Sequence, residues 1–271
     1  MHNFLWLALN PIALKIGDLD IRWYGVIITG AIFIALWLSL KEAKLVRIDQ
    51  DHIYNILLYA LPVALVCARI YYVVFQWSYY QQNPGQIIAI WHGGIAIYGG
   101  LIGALLVVIW YTKKNKIPLM LFLDVLSPTV LMAQGIGRWG NFMNQEAFGK
   151  ITTLHFLNSL HLPHFIISQM YINGYYRVPT FLYESVWDLL GFIILISTRH
   201  IKKLYLRGEI TLGYLSWYSF GRFFIEGMRT DSLMLGSIRI SQLLSAIIFF
   251  VSIVLIIIRR HKKEPLYLSG V

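Results

Sequence analysis

Residues 119–136, "LMLFLDVLSPTVLMAQGI", run without a break into residues 137–149, "GRWGNFMNQEAFG". The first part is long and apolar enough to cross a bilayer as a helix. The second crowds Arg138, Asn141, Asn144, Gln145 and Glu146 into one short stretch. A hydrocarbon solvent demands the first half and rejects the second, so the junction places the end of a membrane span against a polar surface.

The whole chain agrees with that reading. Its 271 residues are 58% hydrophobic and 13% charged, with a mean hydropathy of +0.62, where a soluble domain carries about twice that charge. Nine Trp and seventeen Tyr suit a chain with rings at the membrane interface. The net charge of +10 does not point to nucleic acid, because the basic residues sit in short clusters between apolar runs and form no stripe. The single cysteine, Cys67, lies within an apolar run, so no disulfide framework or thiolate metal site is expected. The first ten residues, "MHNFLWLALN", lack a basic start, and no cleavable signal peptide is expected.

Spans are expected at 22–40, 53–75, 92–111, 119–138, 181–198, 209–228 and 241–258. Fourteen of the 23 basic residues follow the odd-numbered spans, from Lys41, Lys44 and Arg47 to Arg259, Arg260, Lys262 and Lys263. The connector after span two, "QWSYYQQNPGQII", holds none. By the positive-inside rule the N-terminus is outside and the C-terminus cytoplasmic. Residues 141–179 are polar and rich in breakers, which predicts a small outward-facing head. The fold class is therefore an all-α integral membrane protein, one membrane domain over 1–271 with seven transmembrane helices and that head.

Charges inside a span cost about 2.5–3.5 kcal/mol each on insertion scales, so each calls for a reason. They are Arg69, Asp124, Arg138, Glu184, Asp188, Arg222 and Glu226. With the orientation above, most fall in the outer half, alongside Arg22, Tyr24, His92, Tyr98 and Arg229. A transport path would string polar groups through the whole thickness, whereas a single layer fits a site for phospholipid headgroups. Tyr218, Arg222, Glu226 and Arg229 share one helical stripe. Arg138, Asn141 and Gln145 share another if the helix continues past Gly140. Two arginines on facing helices make a phosphate clamp. Arg222 and Glu226 read equally as one buried ion pair that locks the bundle; convergence of several spans on one depth favours a site. The glycines of "HGGIAIYGGLIG" fit a phosphate cradle or close helix packing alike. His155, His161 and His164 read as exposed loop residues.

Taken together, these motifs resemble the bacterial prolipoprotein diacylglyceryl transferases. The matching pieces are "RWYG" (22–25), "WHGGIAIYGGLIG" (91–103), "QGIGRWGNFMNQEAFG" (134–149), "PTFLYES" (179–185) and "YSFGRFFIEGMRTD" (218–231). The resemblance spans essentially the whole chain. It implies transfer of the diacylglyceryl group of phosphatidylglycerol to the thiol of a lipobox cysteine in a prolipoprotein signal-peptide segment, releasing glycerol phosphate. It also implies a multi-pass enzyme of the bacterial cell membrane, open to the outer leaflet, with membrane lipid around it and no cofactor or metal. Arg138 and Arg222 then bind the lipid phosphate and leaving group. Asn141, Asn144 and Glu146 orient Arg138 and the glycerol headgroup, while Tyr24, Tyr218 and Glu226 surround Arg222. His92, Gly99, Gly100, Gly149 and Arg229 complete the substrate-binding set. Tyr98 stands where some relatives have histidine; a phenol with an ordinary pKa near 10 is a poor base, so it is assigned to the thiol or the lipid and the base stays open. A lipid-binding or transport protein is the rival reading, and a structural scaffold a third.

Overall fold

A computed structural model describes residues 9–230, 234–236 and 238–269; the side chains of Leu19, His92 and Leu235 fall outside it too, as does the start of the chain on which the signal-peptide expectation rests. The long helices are α1 (Trp23–Leu45), α2 (Gln50–Phe75), α4 (Ile97–Lys114), α5 (Leu119–Met143), α8 (Thr180–Thr198), α9 (Glu209–Met228) and α10 (Ile240–His261), with short helices α3 (Trp77–Tyr80), α6 (Leu154–Ser159) and α7 (His164–Gln169) between them. The polarity is inverted relative to a water-soluble protein. Phe33, Phe75 and Phe250 are 65%, 70% and 67% exposed, whereas Glu184, Asp188 and Glu226 are 3%, 0% and 2% exposed. Hydrocarbon outside and polar partners inside explain that arrangement.

Among the described residues, six helices are long and apolar enough to cross a membrane: all the long ones except α9. Helix α9 occupies the expected range, but Glu209, Arg222 and Glu226 dilute its apolar character. Three other boundaries differ from expectation by five residues, the first being the end of span one, which runs to Leu45 rather than 40. The third span starts at Ile97 rather than 92, because Gly93 and Gly94 take left-handed φ values of 83° and 74° that end any helix before it. The fourth continues to Met143 rather than stopping at 138, since Gly140 remains helical.

The chain divides into two compact units, one comprising Ser39–Leu123 and the other the residues up to Leu38 with Asp124–Ser269. In the first, α2 packs on α4 at glycines: a Cβ on Gly99 would collide with the Cys67 carbonyl, and one on Gly103 would lie 2.8 Å from Cys67 Cβ. Arg69, only 7% exposed, explains itself here. Its guanidinium donates to the carbonyls of Gln86, Ile87, Gly93 and Gly94 at 2.6–2.8 Å and so fastens the loop before α4.

The second unit carries short antiparallel sheets that the helical reading did not foresee. Strands β1 (Ile12–Ile16) and β2 (Leu19–Arg22) form a hairpin before α1. Between α5 and α8, β3 (Ile151–Thr152), β4 (Tyr171–Ile172) and β5 (Tyr175–Arg177) form a sheet in the order β3-β5-β4. Asn173 and Gly174, both at positive φ, supply the two-residue turn that joins β4 to β5. Leu157, Ile166, Ile167, Met170 and Ile172 pack with Phe142 of α5 and Phe181 of α8, so this head is seated on the ends of those helices. A further hairpin, β6 (Met234–Leu235) with β7 (Ile238–Arg239), precedes α10.

Asp124 is fully buried and caps another helix. Its Oδ2 accepts from Gly208 N at 2.5 Å, and its Oδ1 from Thr211 N at 2.9 Å and Thr211 Oγ1 at 2.8 Å. Gly208, at φ 90°, is the N-cap of α9 and has no side chain to offer, so Asp124 serves the orphan N–H groups from across the bundle. Asp124→Ala should destabilise the protein by about 1–3 kcal/mol, seen as a lower unfolding temperature in detergent. An unchanged temperature would deny the cap its role.

Candidate active site

Three helices of the second unit build one polar centre. On α5, Asp124, Ser127, Gln134 and Arg138 recur at helical spacing, and on α9 so do Thr211, Tyr214, Tyr218, Arg222 and Glu226. Helix α8 brings Glu184 and Asp188 one turn apart. Helices α8 and α9 are fastened by Trp187 and Trp217, whose rings stack at 4.3 Å. Each indole N–H donates to the other residue's carbonyl, at 2.8 and 2.9 Å. Gly191 and Gly221 make room for them: a Cβ on Gly191 would strike the Trp217 ring, and one on Gly221 the Trp187 ring.

At the centre is Glu184, a residue that spacing along a single helix does not single out. Its Oε1 accepts from Arg138 Nη2 at 2.9 Å, and both its oxygens accept from Arg222 Nη1, at 3.1 and 3.0 Å. Arg222 turns its other nitrogen, Nη2, to Glu226 Oε2 at 2.5 Å. The expected i,i+4 pair is therefore present, and the same arginine also reaches across to α8. Arg138 Nη1 donates to Asn141 Oδ1 at 3.3 Å, as a helix continued past Gly140 allows.

Beneath this network the accounting does not close. Asp188 is 0% exposed, yet neither of its carboxylate oxygens has a hydrogen-bond partner among the described residues. It lies within electrostatic reach of Glu184, Arg138 and Arg222, and of Tyr214 and Tyr218. Gln134 Oε1, Arg138 Nε and Asn144 Oδ1 are buried and unpartnered as well. Native proteins leave few such atoms, so a group of them beside two arginines needs an explanation.

The other expected residues divide into two groups. Tyr24 lays its ring against Gly140, where a Cβ would stand 2.8 Å from Tyr24 Cδ2. Tyr218 is one turn before Arg222 and within electrostatic reach of it. Asn144 Nδ2 donates to Glu146 Oε1 at 3.3 Å, and Glu146 N to the Asn141 carbonyl at 2.9 Å, which shapes the turn after α5. Gly149 bridges to Arg229 in antiparallel fashion and donates its N–H to Val178 at 3.0 Å; a Cβ there would meet Val178 Cβ at 2.8 Å. Tyr98, Gly99 and Gly100 belong to the other compact unit, where Tyr98 lies near Tyr71 and Gly99 packs on α2. The side chain of His92 is outside the described residues.

Comparison with known sequences agrees with the motifs. The family described as prolipoprotein diacylglyceryl transferase matches residues 11–258. The chain is 61% identical over 266 residues to the phosphatidylglycerol–prolipoprotein diacylglyceryl transferase of Lactiplantibacillus plantarum, covering 97% of this chain and 94% of that one. It is 59% identical over 264 residues to the protein so named in Limosilactobacillus reuteri, covering 97% and 96% of the two. The Listeria monocytogenes protein of that name is 56% identical over 259 residues, covering 96% and 93%.

Proposed function

Because this chain belongs to the prolipoprotein diacylglyceryl transferase family, we propose that Arg138 and Arg222 hold the phosphate of phosphatidylglycerol while a lipobox cysteine thiol attacks the adjoining glyceryl carbon. The protein is a multi-pass membrane enzyme that transfers the diacylglyceryl group of phosphatidylglycerol to prolipoprotein. In the proposed step a sulfur–carbon bond forms as the glyceryl carbon–oxygen bond breaks, and its electron pair goes to the departing phosphate. The thiol's proton ends on the released glycerol phosphate. Charge grows on the phosphate as the bond breaks, so cations fixed there favour the transition state over the ground state.

The observation that carries this reading is the carboxylate of Glu184 held by both arginines. It occupies the place that an anion takes between two guanidinium forks. Asn141, already bonded to Arg138, orients that arginine, and Asn144 and Glu146 border the glycerol headgroup. Tyr24, Tyr218 and Glu226 are assigned to the surroundings of Arg222. Tyr98 is assigned to the thiol or the lipid, and His92, Gly99, Gly100, Gly149 and Arg229 to substrate contact; these roles rest on the motifs.

Helix α9 is the seventh span in this reading, since it packs between α8 and α10 and its charged groups have partners there. The basic clusters set the N-terminus outside and the C-terminus in the cytoplasm of a bacterial cell, which directs the arginines and the head toward the outer leaflet. One experiment tests both site and orientation. Right-side-out membrane vesicles receive phosphatidylglycerol labelled in its glyceryl-acyl part and a lipobox peptide that cannot cross the membrane. Label should appear on the cysteine peptide and not on its Cys→Ser control. Lipid bound without label on the thiol would leave a lipid-binding protein, and label only in inside-out vesicles would reverse the orientation.

A further inference from the structure

The unpartnered atoms beneath the arginines are mostly acceptors: both oxygens of Asp188 and Oε1 of Gln134. They come from facing helices. Gly135, next to Gln134, packs so closely that a Cβ on it would stand 3.2 Å from Asp188 Cβ. Tyr214 lies near Gln134, and both Tyr214 and Tyr218 lie within electrostatic reach of Asp188. The nearest cations do not supply the missing donors, because Arg138 and Arg222 are turned to Glu184, Asn141 and Glu226. Arg138 Nε, one turn along α5 from Gln134, is a buried donor with no acceptor among the described residues.

A ligand that satisfies all of these atoms has an anionic oxygen for Arg138 Nε and, a few bonds away, hydroxyl groups for Asp188 and Gln134. We propose that Asp188 and Gln134 form a subsite for the vicinal diol of the glycerol headgroup, and that this subsite makes the enzyme selective for a glycerol-bearing phospholipid. The inference rests on the reading that the arginines hold the lipid phosphate, and it names the atoms that take the far end of the same headgroup. A carboxylate with both oxygens open accepts from two adjacent hydroxyls, while the amide oxygen of Gln134 adds a third acceptor. A site whose buried acceptors are satisfied only by substrate hydroxyls rejects an analogue that lacks them, because those acceptors then stay unpaired.

The test compares kcat/KM for phosphatidylglycerol and for phosphatidyl-1-propanol, the same lipid without the two headgroup hydroxyls, with a lipobox peptide as acceptor. The wild type should prefer phosphatidylglycerol by about a hundredfold or more. Asp188→Leu, close in volume, should lower that ratio by about tenfold to a hundredfold, through loss on phosphatidylglycerol and a gain on the propanol lipid, which no longer leaves the carboxylate unpaired. Asp188→Asn keeps one acceptor and should fall between. If Asp188→Leu does not accumulate, Gln134→Met should still lower the ratio by about tenfold. An equal fall on both lipids would make Asp188 a structural or proton-transferring residue and overturn the subsite, as would a wild type with no preference. Failure of the phosphate-clamp reading looks different: Arg138→Ala would then turn over both lipids near the wild-type rates, at an unchanged ratio.

Discussion

Arg138→Ala is expected to lower transfer of the diacylglyceryl group to a lipobox peptide by about a thousandfold or more, while the protein still inserts and accumulates. Removing one fixed donor from a developing anion costs on the order of 10²–10³ in rate, and a guanidinium that also carries charge costs more. Arg138 pairs with fewer acids than Arg222: Glu184 alone, beside an amide contact to Asn141, against both Glu184 and Glu226. Its loss therefore leaves the Glu184–Arg222–Glu226 chain standing, and the variant reports on chemistry more than on folding. Arg138→Lys keeps the charge but not the planar fork, and should recover only part of the rate. A purified Arg138→Ala enzyme that turned over near the wild-type rate would remove the clamp from the mechanism.

Glu184→Ala should have the largest effect on the fold. It removes the carboxylate that neutralises two arginines at once, each with 14–19% of its side chain exposed. Breaking a buried pair by deleting one partner costs about 3–5 kcal/mol, because the charge left behind stays buried. Glu184→Gln keeps shape and one acceptor and should cost less. Thermal unfolding of the detergent-solubilised protein measures both. If phosphatidylglycerol places its phosphate between the arginines, adding that lipid should raise the melting temperature of Glu184→Gln more than that of the wild type, since it restores the missing anion. A lipid effect no larger in the variant than in the wild type would argue that the phosphate binds elsewhere.

Hydropathy made the long helices legible, because a span must be apolar over its whole length and few other elements are. Their ends were less so. Gly93 and Gly140 look alike in the sequence, yet one takes a left-handed φ of 83° and stops a helix, while the other stays inside α5 to let Tyr24 approach. That difference is decided by what packs there. The hairpins escaped notice for a related reason: two- and three-residue strands such as β3, β4 and β5 carry too little alternation to show a period.

The arginines stood out because a charge in a span is costly and conspicuous. Their real connector did not. Spacing along one helix pairs Arg222 with Glu226, but the bonds from Glu184 to Arg138 and Arg222 join residues 46 and 38 positions away, and no local rule reads them. Asp188 was visible as an expensive residue; that its oxygens find no partner emerges only once the neighbours are placed.

The two fastenings of α9 also decide how the site can open. The reciprocal tryptophans tie it to α8 at mid-length, so Glu184, Arg222 and Glu226 travel as one block. Asp124 ties its start to α5, about 21 Å along that helix from Arg138 at 1.5 Å per residue. Helix α5 is held to α8 around Arg138 as well, by Trp139 Nε1 donating to Ser185 Oγ at 3.1 Å and by the close approach of Gly135 to Asp188, so Arg138 belongs to the same block. Any opening of the site therefore falls to the side chains, with the three helices keeping their places.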